Sequence, residues 1–351
     1  MRIKLFKKIS STNKIFLLQN LSVMIRAGVP LADALSTLAD QTKNKKLKEI
    51  LFDVQNKIKE GKTFSEGLEP YQENFGEMFI NMIKAGETSG QLDSVIKELH
   101  EQTNKDHKLM SKVRNALTYP IIIITAMFGI GTFMMVFVLP NITNLFTELE
   151  VQLPLPTRIL IAVSNFVQAN GLYLVIFIFI AVATFIKIIR TKKGKYIFDS
   201  ILIKIPVISG IIKKINLARA SRSLSSLIKT DITIIETLQI TSRVLGNSLY
   251  KKALTESAEQ VKKGNKMADV FKNYPNIFPP NIIQMVSVGE ETGSLDEVLE
   301  NLAVFYEEEV YSTMDNLPVI IEPVLMILIG IAVGGIALAI MMPMQTLTET
   351  I

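Results

Sequence analysis

Residues 120–139 read PIIIITAMFGIGTFMMVFVL and contain no charged side chain. As an α-helix this stretch would be about 30 Å long, which is the thickness of the hydrocarbon core of a bilayer. Residues 171–186 read GLYLVIFIFIAVATFI, and residues 319–342 read VIIEPVLMILIGIAVGGIALAIMM. A buried helix of a soluble protein is the alternative for residues 171–186, but an apolar run without polar periodicity favours a span. The sequence therefore predicts transmembrane helices over residues 119–139, 171–189 and 319–342.

The composition fits a membrane protein that also has large polar regions. The hydrophobic fraction of 48% is ordinary, whereas the mean hydropathy of +0.32 indicates that apolar residues are concentrated in a few segments. Cysteine is absent from the sequence, which excludes disulfides and thiolate metal sites. The net charge of +5 is mild and does not by itself argue for nucleic-acid binding.

The distribution of basic residues predicts the orientation in the membrane. Residues 140–170 contain a single basic residue, Arg158, and are expected to form a short extracytoplasmic loop. The second span is followed by ten basic residues: Lys187, Arg190, Lys192, Lys193, Lys195, Lys204, Lys213, Lys214, Arg219 and Arg222. Residues 190–216 are therefore predicted to be a cytoplasmic linker. The basic N-terminus, residues 1–12, has no following apolar run and is expected to stay in the cytoplasm uncleaved. The tail, residues 343–351, is expected outside.

The chain is a tandem repeat, because an ungapped shift of 203 residues superposes its first part on its last. The coinciding pairs include Gly61 and Gly264, Tyr71 and Tyr274, Phe75 and Phe278, Gly86 and Gly289, Pro120 and Pro323, and Pro140 and Pro343. Each repeat is a soluble part followed by a span. The span at residues 171–189 is an unpaired insertion that returns the chain to the cytoplasm, so both repeats share one orientation.

Within each repeat the apolar pattern is helical. Leu47, Ile50, Leu51, Val54 and Ile58 lie on one helix face, and alternating strand patterns are missing. We therefore predict an all-α protein with three transmembrane helices and two tandem cytoplasmic helical bundles, at residues 13–118 and 217–318.

Two glycine-bearing turns can be placed from the repeat. Gly61 and its counterpart Gly264 are expected to end a helix. Where the first repeat has Ala27-Gly28-Val29-Pro30, the second has Thr230-Asp231-Ile232-Thr233. Aspartate tolerates turn positions, so we expect the fold to be unchanged there.

The sharpest local motif is a short polar turn between two helices that occurs once in each repeat. It reads Gly86-Glu87-Thr88-Ser89-Gly90-Gln91-Leu92 and Gly289-Glu290-Glu291-Thr292-Gly293-Ser294-Leu295. One interpretation is structural: Ser89 or Thr292, or the acidic residue, could cap the helix that follows. The other is a contact with a basic partner surface. Both can hold, and the candidate partner-binding residues are Glu87, Thr88, Ser89, Gly90, Glu290, Glu291, Thr292 and Gly293.

Together with other motifs, these paired corners resemble the signature of the GspF/PilC family of type II secretion and type IV pilus platform proteins. The other motifs are Tyr119-Pro120, Leu153-Pro154-Leu155-Pro156-Thr157-Arg158, Glu322-Pro323 and Met341-Met342-Pro343. The resemblance covers about residues 13–345. It implies helical cytoplasmic domains that contact a hexameric assembly ATPase and its inner-membrane adaptor. It also implies that the membrane part handles pilins or pseudopilins.

Glu322 is the one carboxylate at the edge of a predicted span, which makes it an intramembrane functional candidate. It could neutralise the free amine of an inserting pilin or bind a basic group of a neighbouring subunit. The alternative is an interfacial residue before a proline that starts a helix.

Chemistry-bearing motifs are otherwise missing from the sequence. It has no GxxxxGK[ST] loop, GxSxG elbow or HExxH motif. The two histidines, His100 and His107, share one polar helix face, and a metal site would need further ligands. We therefore expect no enzymatic activity, no catalytic residue, no metal and no cofactor.

We predict an inner-membrane platform that couples a cytoplasmic assembly ATPase to pilin or pseudopilin extraction and fibre assembly. The alternative is a small-solute transporter acting as an oligomer, although a solute path needs more polar residues inside the spans. Expected partners are the ATPase, its adaptor, pilins or pseudopilins, the lipid bilayer and further copies of the chain, as a dimer or higher oligomer. No nucleic acid is expected. The sequence leaves open a type IV pilus, a competence pilus or a type II pseudopilus.

Overall fold

Helices account for every regular element in residues 9–141 and 155–350, which the computed structural model describes, so the all-α prediction is confirmed. The basic residues before Ile9 and the Leu153-Pro154 part of the family motif lie outside this range. Contacts divide the chain into two units. The first combines residues up to 111 with residues 196–311, and the second combines residues 112–195 with the residues from 312 onward.

The helices of the first repeat are α1 (Ser11–Arg26), α2 (Leu31–Gln41), α3 (Lys45–Lys59), α4 (Phe64–Leu68), α5 (Gln72–Phe75), α6 (Glu77–Ser89) and α7 (Leu92–Phe133). The insertion contains α8 (Leu155–Arg190) and α9 (Lys192–Leu202). The second repeat contains α10 (Ile208–Ile228), α11 (Ile234–Val244), α12 (Ser248–Lys262), α13 (Met267–Phe271), α14 (Pro280–Thr292) and α15 (Leu295–Thr350). The bounds of α2, α3, α4 and α6 recur in α11, α12, α13 and α14 with the predicted shift of 203 residues.

The second unit carries the apolar helices. The described residues contain three helices that are long and apolar enough to cross a membrane: Leu92–Asn141, Thr157–Arg190 and Leu295–Leu338. Their large apolar side chains, such as Phe177 and Phe179, are exposed, as a lipid-facing surface requires. Residues 155–170, which we expected in a loop, form the beginning of α8.

Pro120 and Pro323 lie inside α7 and α15, so the expectation that Pro323 starts a helix is wrong. Membrane helices tolerate interior proline because neighbouring groups can satisfy the freed carbonyls. The amphipathic pattern that begins at Leu92 and at Leu295 therefore runs into the apolar stretch as one helix.

A π-helical segment, Met134–Val138, follows α7. Such a segment leaves carbonyl groups without their usual helical partners. The hydroxyl of Ser164 donates to the carbonyl of Met135 at 2.5 Å, and the amide of Gln168 donates to that of Val136 at 3.4 Å. These polar side chains of α8 thus compensate for the irregular backbone within an apolar unit.

The first unit repeats its turns and caps. The side chains of Asn44 and Asn247 accept backbone N–H bonds at the starts of α3 and α12. Gly61 and Gly264 follow the ends of those helices at φ +92° and +89°, which confirms the predicted helix ends. Asp231 adopts φ +59° where Gly28 has +80°, so the turn survives the replacement of glycine.

A tyrosine–carboxylate bond also occurs twice. The hydroxyl of Tyr71 donates to Asp53 at 2.7 Å, and that of Tyr274 donates to Glu256. Burial and the neighbouring carboxylate raise the pKa of both tyrosine hydroxyls to about 12. Each bond holds the turn after α4 or α13 against the preceding long helix.

The soluble parts of the two repeats belong to the same unit and share a hydrophobic core. The hydrophobic cluster of the first repeat, built on residues such as Leu35, Leu38 and Phe64, also contains Leu227 and Ile240 of the second. The second repeat adds an aromatic cluster of its own, in which the Phe271 and Phe278 rings stack at 3.9 Å.

Arg222 lies buried in α10 between two carboxylates of α15. Its guanidinium bonds Glu307 at 2.8 and 3.0 Å and pairs with Glu300. Glu300 also pairs with Lys229 and with Lys105, which comes from the first repeat. Burial favours the protonated form of Glu300, but Arg222 and the two lysines lower its pKa to about 2. This network fixes α10 on α15 and attaches the first repeat to both.

We predict that Arg222→Ala lowers the free energy of unfolding by about 3 kcal/mol, because it leaves two half-buried carboxylates without their main partner. Lys214→Ala is the matched control, since its ion pair with Glu309 is more exposed and should contribute less than about 1 kcal/mol. Denaturant unfolding of the detergent-solubilised chain measures both. Equal losses in the two variants would contradict this role of Arg222.

Candidate functional site

The two glycine-bracketed corners join α6 to α7 and α14 to α15. Gly90 and Gly293 end the first helix of each corner at φ +70° and +72°, a backbone conformation that favours glycine. Gly86 permits a close helix approach, because a Cβ there would lie 2.8 Å from a side-chain carbon of Val95. At Gly289 a Cβ would lie 3.1 Å from the Cα of Leu295. The glycines of the motif are therefore required by the corner itself.

The acidic residue of each corner binds a third helix. The carboxylate of Glu87 accepts the backbone N–H groups of Phe64 and Ser65, at 2.5 and 2.9 Å, at the start of α4. A carboxylate at a helix N-terminus satisfies unpaired donors and favourably meets the positive end of the helix dipole.

The second repeat reproduces this contact residue for residue. Glu290 accepts the N–H groups of Met267 and Ala268, at 2.6 and 3.0 Å, at the start of α13. The prediction that the acidic residue caps the helix that follows the corner is thus wrong. The carboxylate instead caps a helix that begins more than twenty residues earlier in the chain.

The hydroxyls of the corners do not cap the following helix either. Ser89 donates to the carbonyl of Ala85 at 2.9 Å, and Thr292 donates to that of Val288 at 2.8 Å. Thr88 likewise bonds Lys84 within its own helix. Each hydroxyl donates its hydrogen bond to a carbonyl one turn back in its own helix. The N-cap positions of α7 and α15 are therefore Gln91 and Ser294, whose carbonyls accept the first backbone hydrogen bonds of those helices.

Six of the eight candidate residues are exposed. Thr88, Ser89 and Gly90 face solvent in the first repeat, as do Glu291, Thr292 and Gly293 in the second. Glu291 forms an exposed ion pair with Lys266 at 2.8 Å, and this lysine lowers the pKa of the Glu291 carboxyl. The half-buried Glu87 and Glu290 hold each corner in place beneath these residues.

A surface depression of about 390 Å³ adjoins the first corner. Its lining includes Glu66, Glu69, Glu87, Lys84 and Thr88. The excess of carboxylates makes this surface complementary to a basic side chain.

Two functional features were not predicted from the sequence. The capping role of Glu87 depends on a contact with a distant part of the chain. Arg222 was assigned to the basic cytoplasmic stretch, whereas it is buried. A signal existed in both cases: Glu87 recurs as Glu290 in the repeat, and the polar Arg222 stands on the face of α10 that also carries buried serines.

Glu322 lies inside α15, directly before Pro323, and its side chain is exposed. It belongs to the unit that carries the apolar helices.

Comparison with known proteins identifies a family for most of the chain. The family described as Type II secretion system (T2SS), protein F, matches residues 17–140 and again residues 220–343. The two matches are offset by the same 203 residues as the repeat.

Similar proteins include two described as "Type IV pilus assembly protein PilC". That of Thermus thermophilus is 34% identical over 95% of this chain and 82% of its own length. That of Pseudomonas aeruginosa is 28% identical over 98% of this chain and 92% of its own length. The "Type II secretion system protein F" of Aeromonas hydrophila is 28% identical over 100% of this chain and 90% of its own length.

Glu87→Ala and Glu290→Ala should each lower the free energy of unfolding by about 1–2 kcal/mol, because each removes a helix cap and leaves two N–H donors unpaired. Thr88→Ala serves as the control. It removes an exposed hydroxyl that bonds only its own helix, so its effect should stay within about 0.5 kcal/mol. Thermal unfolding in detergent measures all three, and a Glu87→Ala protein as stable as Thr88→Ala would refute the capping role.

Proposed function

The chain belongs to the family of type II secretion system protein F, and from this premise we propose that it couples a cytoplasmic assembly ATPase to pilin or pseudopilin extraction and fibre assembly. The chain is a multi-pass membrane protein with a platform role in pilus or secretion machinery. Its family is one of structural membrane platforms and not a known enzyme family.

The observation that carries this proposal is the doubled family match. Both copies of the family region occur, in one register, with relatives named for pilus assembly or type II secretion along nearly the whole chain. A doubled domain that continues into apolar helices suits a protein that receives force at one surface and acts on a membrane-embedded substrate.

We further propose that the two soluble bundles, residues 13–118 and 217–318, are cytoplasmic. The supporting observation is the excess of lysine and arginine between the second and third apolar helices. The N-terminus is then inside and the C-terminus outside. The ATPase and its adaptor would meet the chain on the same side as the two corners.

The corners are the proposed contact surface for the ATPase or its adaptor. Thr88, Ser89 and Gly90, with Glu291, Thr292 and Gly293, are exposed on rigid helix ends. Glu87 and Glu290 contribute indirectly, because they bind α4 and α13 and so position those ends. The carboxylates beside the first corner favour a partner surface that presents lysine or arginine.

The platform role itself is tested by deleting the gene in the source organism. Loss of surface pili or of type II secretion, restored by the wild-type gene, is the expected result. Normal pilus assembly or secretion in the deletion strain would exclude the proposed function, whichever partner binds the corners.

A photoreactive amino acid at position 88 or 292 should capture the assembly ATPase or its adaptor in living cells. The matched control is position 255, an exposed threonine on α12. Captured proteins are identified by mass spectrometry. Products confined to the chain itself, or equal capture of the ATPase from position 255, would count against the corners as its contact surface.

Glu322 is proposed to neutralise a cationic group of a pilin that enters the membrane part. Glu322→Gln keeps the shape of the side chain and removes its charge, so fibre assembly should fall several-fold. Glu322→Asp keeps the charge and should retain most of the activity. Quantification of surface fibres or secreted substrate distinguishes them, and full assembly by Glu322→Gln would leave this residue without the proposed role.

A further inference from the structure

The two repeats meet through one face of α7 and one face of α10. Gln102 donates to Ser223 at 3.4 Å, Ser226 donates to Glu98 at 2.6 Å, and Arg219 pairs with Asp106 at 2.7 Å. The α10 residues 219, 222, 223 and 226 share one helix face by their spacing, as do the α7 residues 98, 102 and 106. The contact is buried at its centre, where Ser226 is 0% and Gln102 is 9% exposed, and half-buried at Arg219 and Asp106.

The 203-residue shift assigns each of these faces a counterpart in the other repeat. The α10 face corresponds to Phe16, Gln19, Asn20 and Val23 on α1, and the α7 face corresponds to Asn301, Phe305 and Glu309 on α15. Within the chain, α7 contacts α10. Phe16, Gln19 and Val23 of the α1 counterpart are exposed, as are Asn301 and Phe305 of the α15 counterpart, whereas Glu309 pairs with Lys214 of α10. We name these the α1 face and the α15 face.

Both open faces carry large apolar side chains. Phe16 and Val23 are 39% and 55% exposed on the α1 face, and Phe305 is 47% exposed on the α15 face, next to Val304 at 38%. At the equivalent positions of the intrachain interface stand the half-buried Arg219 and the buried Ser226 and Gln102. The intrachain interface thus carries polar residues at these positions, whereas the open faces carry apolar ones. A surface that has no partner would be expected to carry polar residues instead. Clustered apolar residues on an open surface indicate a binding site.

We propose that a second copy of this chain covers these faces: the α15 face of one copy docks on the α1 face of the next. The intrachain interface supplies the geometry. In it, α7 of the first repeat packs on α10 of the second, and the equivalent contact between two chains packs α15 of one copy on α1 of the next. Phe305 then takes the place of Gln102 and packs on Val23, which takes the place of Ser226. The surface and its occupant are independent of which machine the chain serves.

Such an interface is heterologous, since two different surfaces of the chain meet. Each copy keeps one free α1 face and one free α15 face until the series closes. The contact therefore links copies head to tail, into a ring where the rotation closes, and two like faces never meet. Every junction in the ring, within a chain or between chains, then has the same arrangement of helices.

The absence of native cysteine makes a clean crosslinking test possible. Val23→Cys and Phe305→Cys are introduced into separately tagged full-length chains, which are co-expressed and oxidised in native membranes. We expect a covalent dimer that carries both tags, and none from either variant alone. A single chain with Gln102→Cys and Ser226→Cys is the matched control, and it should crosslink internally without a gain in mass.

Three results would overturn the proposal. A dimer from Val23→Cys alone or Phe305→Cys alone would indicate a two-fold interface of like faces. Absence of the mixed dimer while the intrachain control pair crosslinks would exclude the contact. Capture of a different protein by both cysteines would assign the faces to that partner.

A second measurement does not depend on cysteine geometry. Val23→Glu places a charge in the proposed apolar contact and should lower the oligomeric fraction of the purified chain in lipid nanodiscs at least several-fold. Val288→Glu, at an exposed valine on α14, is the control and should leave that fraction unchanged. Equal oligomer fractions in the two variants would contradict the proposed contact, and an unchanged melting temperature of Val23→Glu shows that the chain itself is folded.

Discussion

The burial of Arg222 between Glu300 and Glu307 is the interaction on which the arrangement of the repeats depends. A guanidinium with little access to solvent must have its donors satisfied, and α15 presents two carboxylates within reach. Helix α10 is thereby fixed on α15, and Arg219 and Ser226, which lie one turn to either side of Arg222 on the same face, bind α7. The first repeat therefore meets the second through bonds that are polar and directional, while the shared core around Leu227 supplies the apolar contact.

Much of the fold could be predicted because its determinants are local. The apolar period gives helices, uncharged runs give spans, and Gly61 or Gly264 marks a helix end through its own backbone conformation. The repeat added a second test to each of these predictions. The fold is unchanged where Asp231 replaces Gly28, as the tolerance of aspartate for turn positions led us to expect.

The remaining features depend on contacts between distant residues. Nothing near Glu87 indicates that its carboxylate will bind the start of α4, because the two helices come together only in the folded bundle. The burial of Arg222 is hidden for the same reason, since neighbouring lysines give it the appearance of an exposed basic run. Pro120 and Pro323 misled the prediction of helix starts because the amphipathic and apolar stretches continue through them as one helix. The π-helical segment has no local signal, and its compensation by Ser164 comes from another helix.

A comparison of the two repeats separates residues that maintain the fold from residues that distinguish the copies. The capping carboxylates, the glycines of the corners and the tyrosine–carboxylate bonds are present in both, because each bundle needs them to close. The exposed positions between them differ: Thr88 and Ser89 in one corner become Glu291 and Thr292 in the other. The interface faces differ more, with Phe16 against Arg219 and Phe305 against Gln102. A duplicated domain whose two copies were identical at these places would offer a partner the same surface twice. Divergence at the exposed corners and at the junction faces lets one fold present two distinguishable surfaces, while the helix caps and glycine turns beneath them recur.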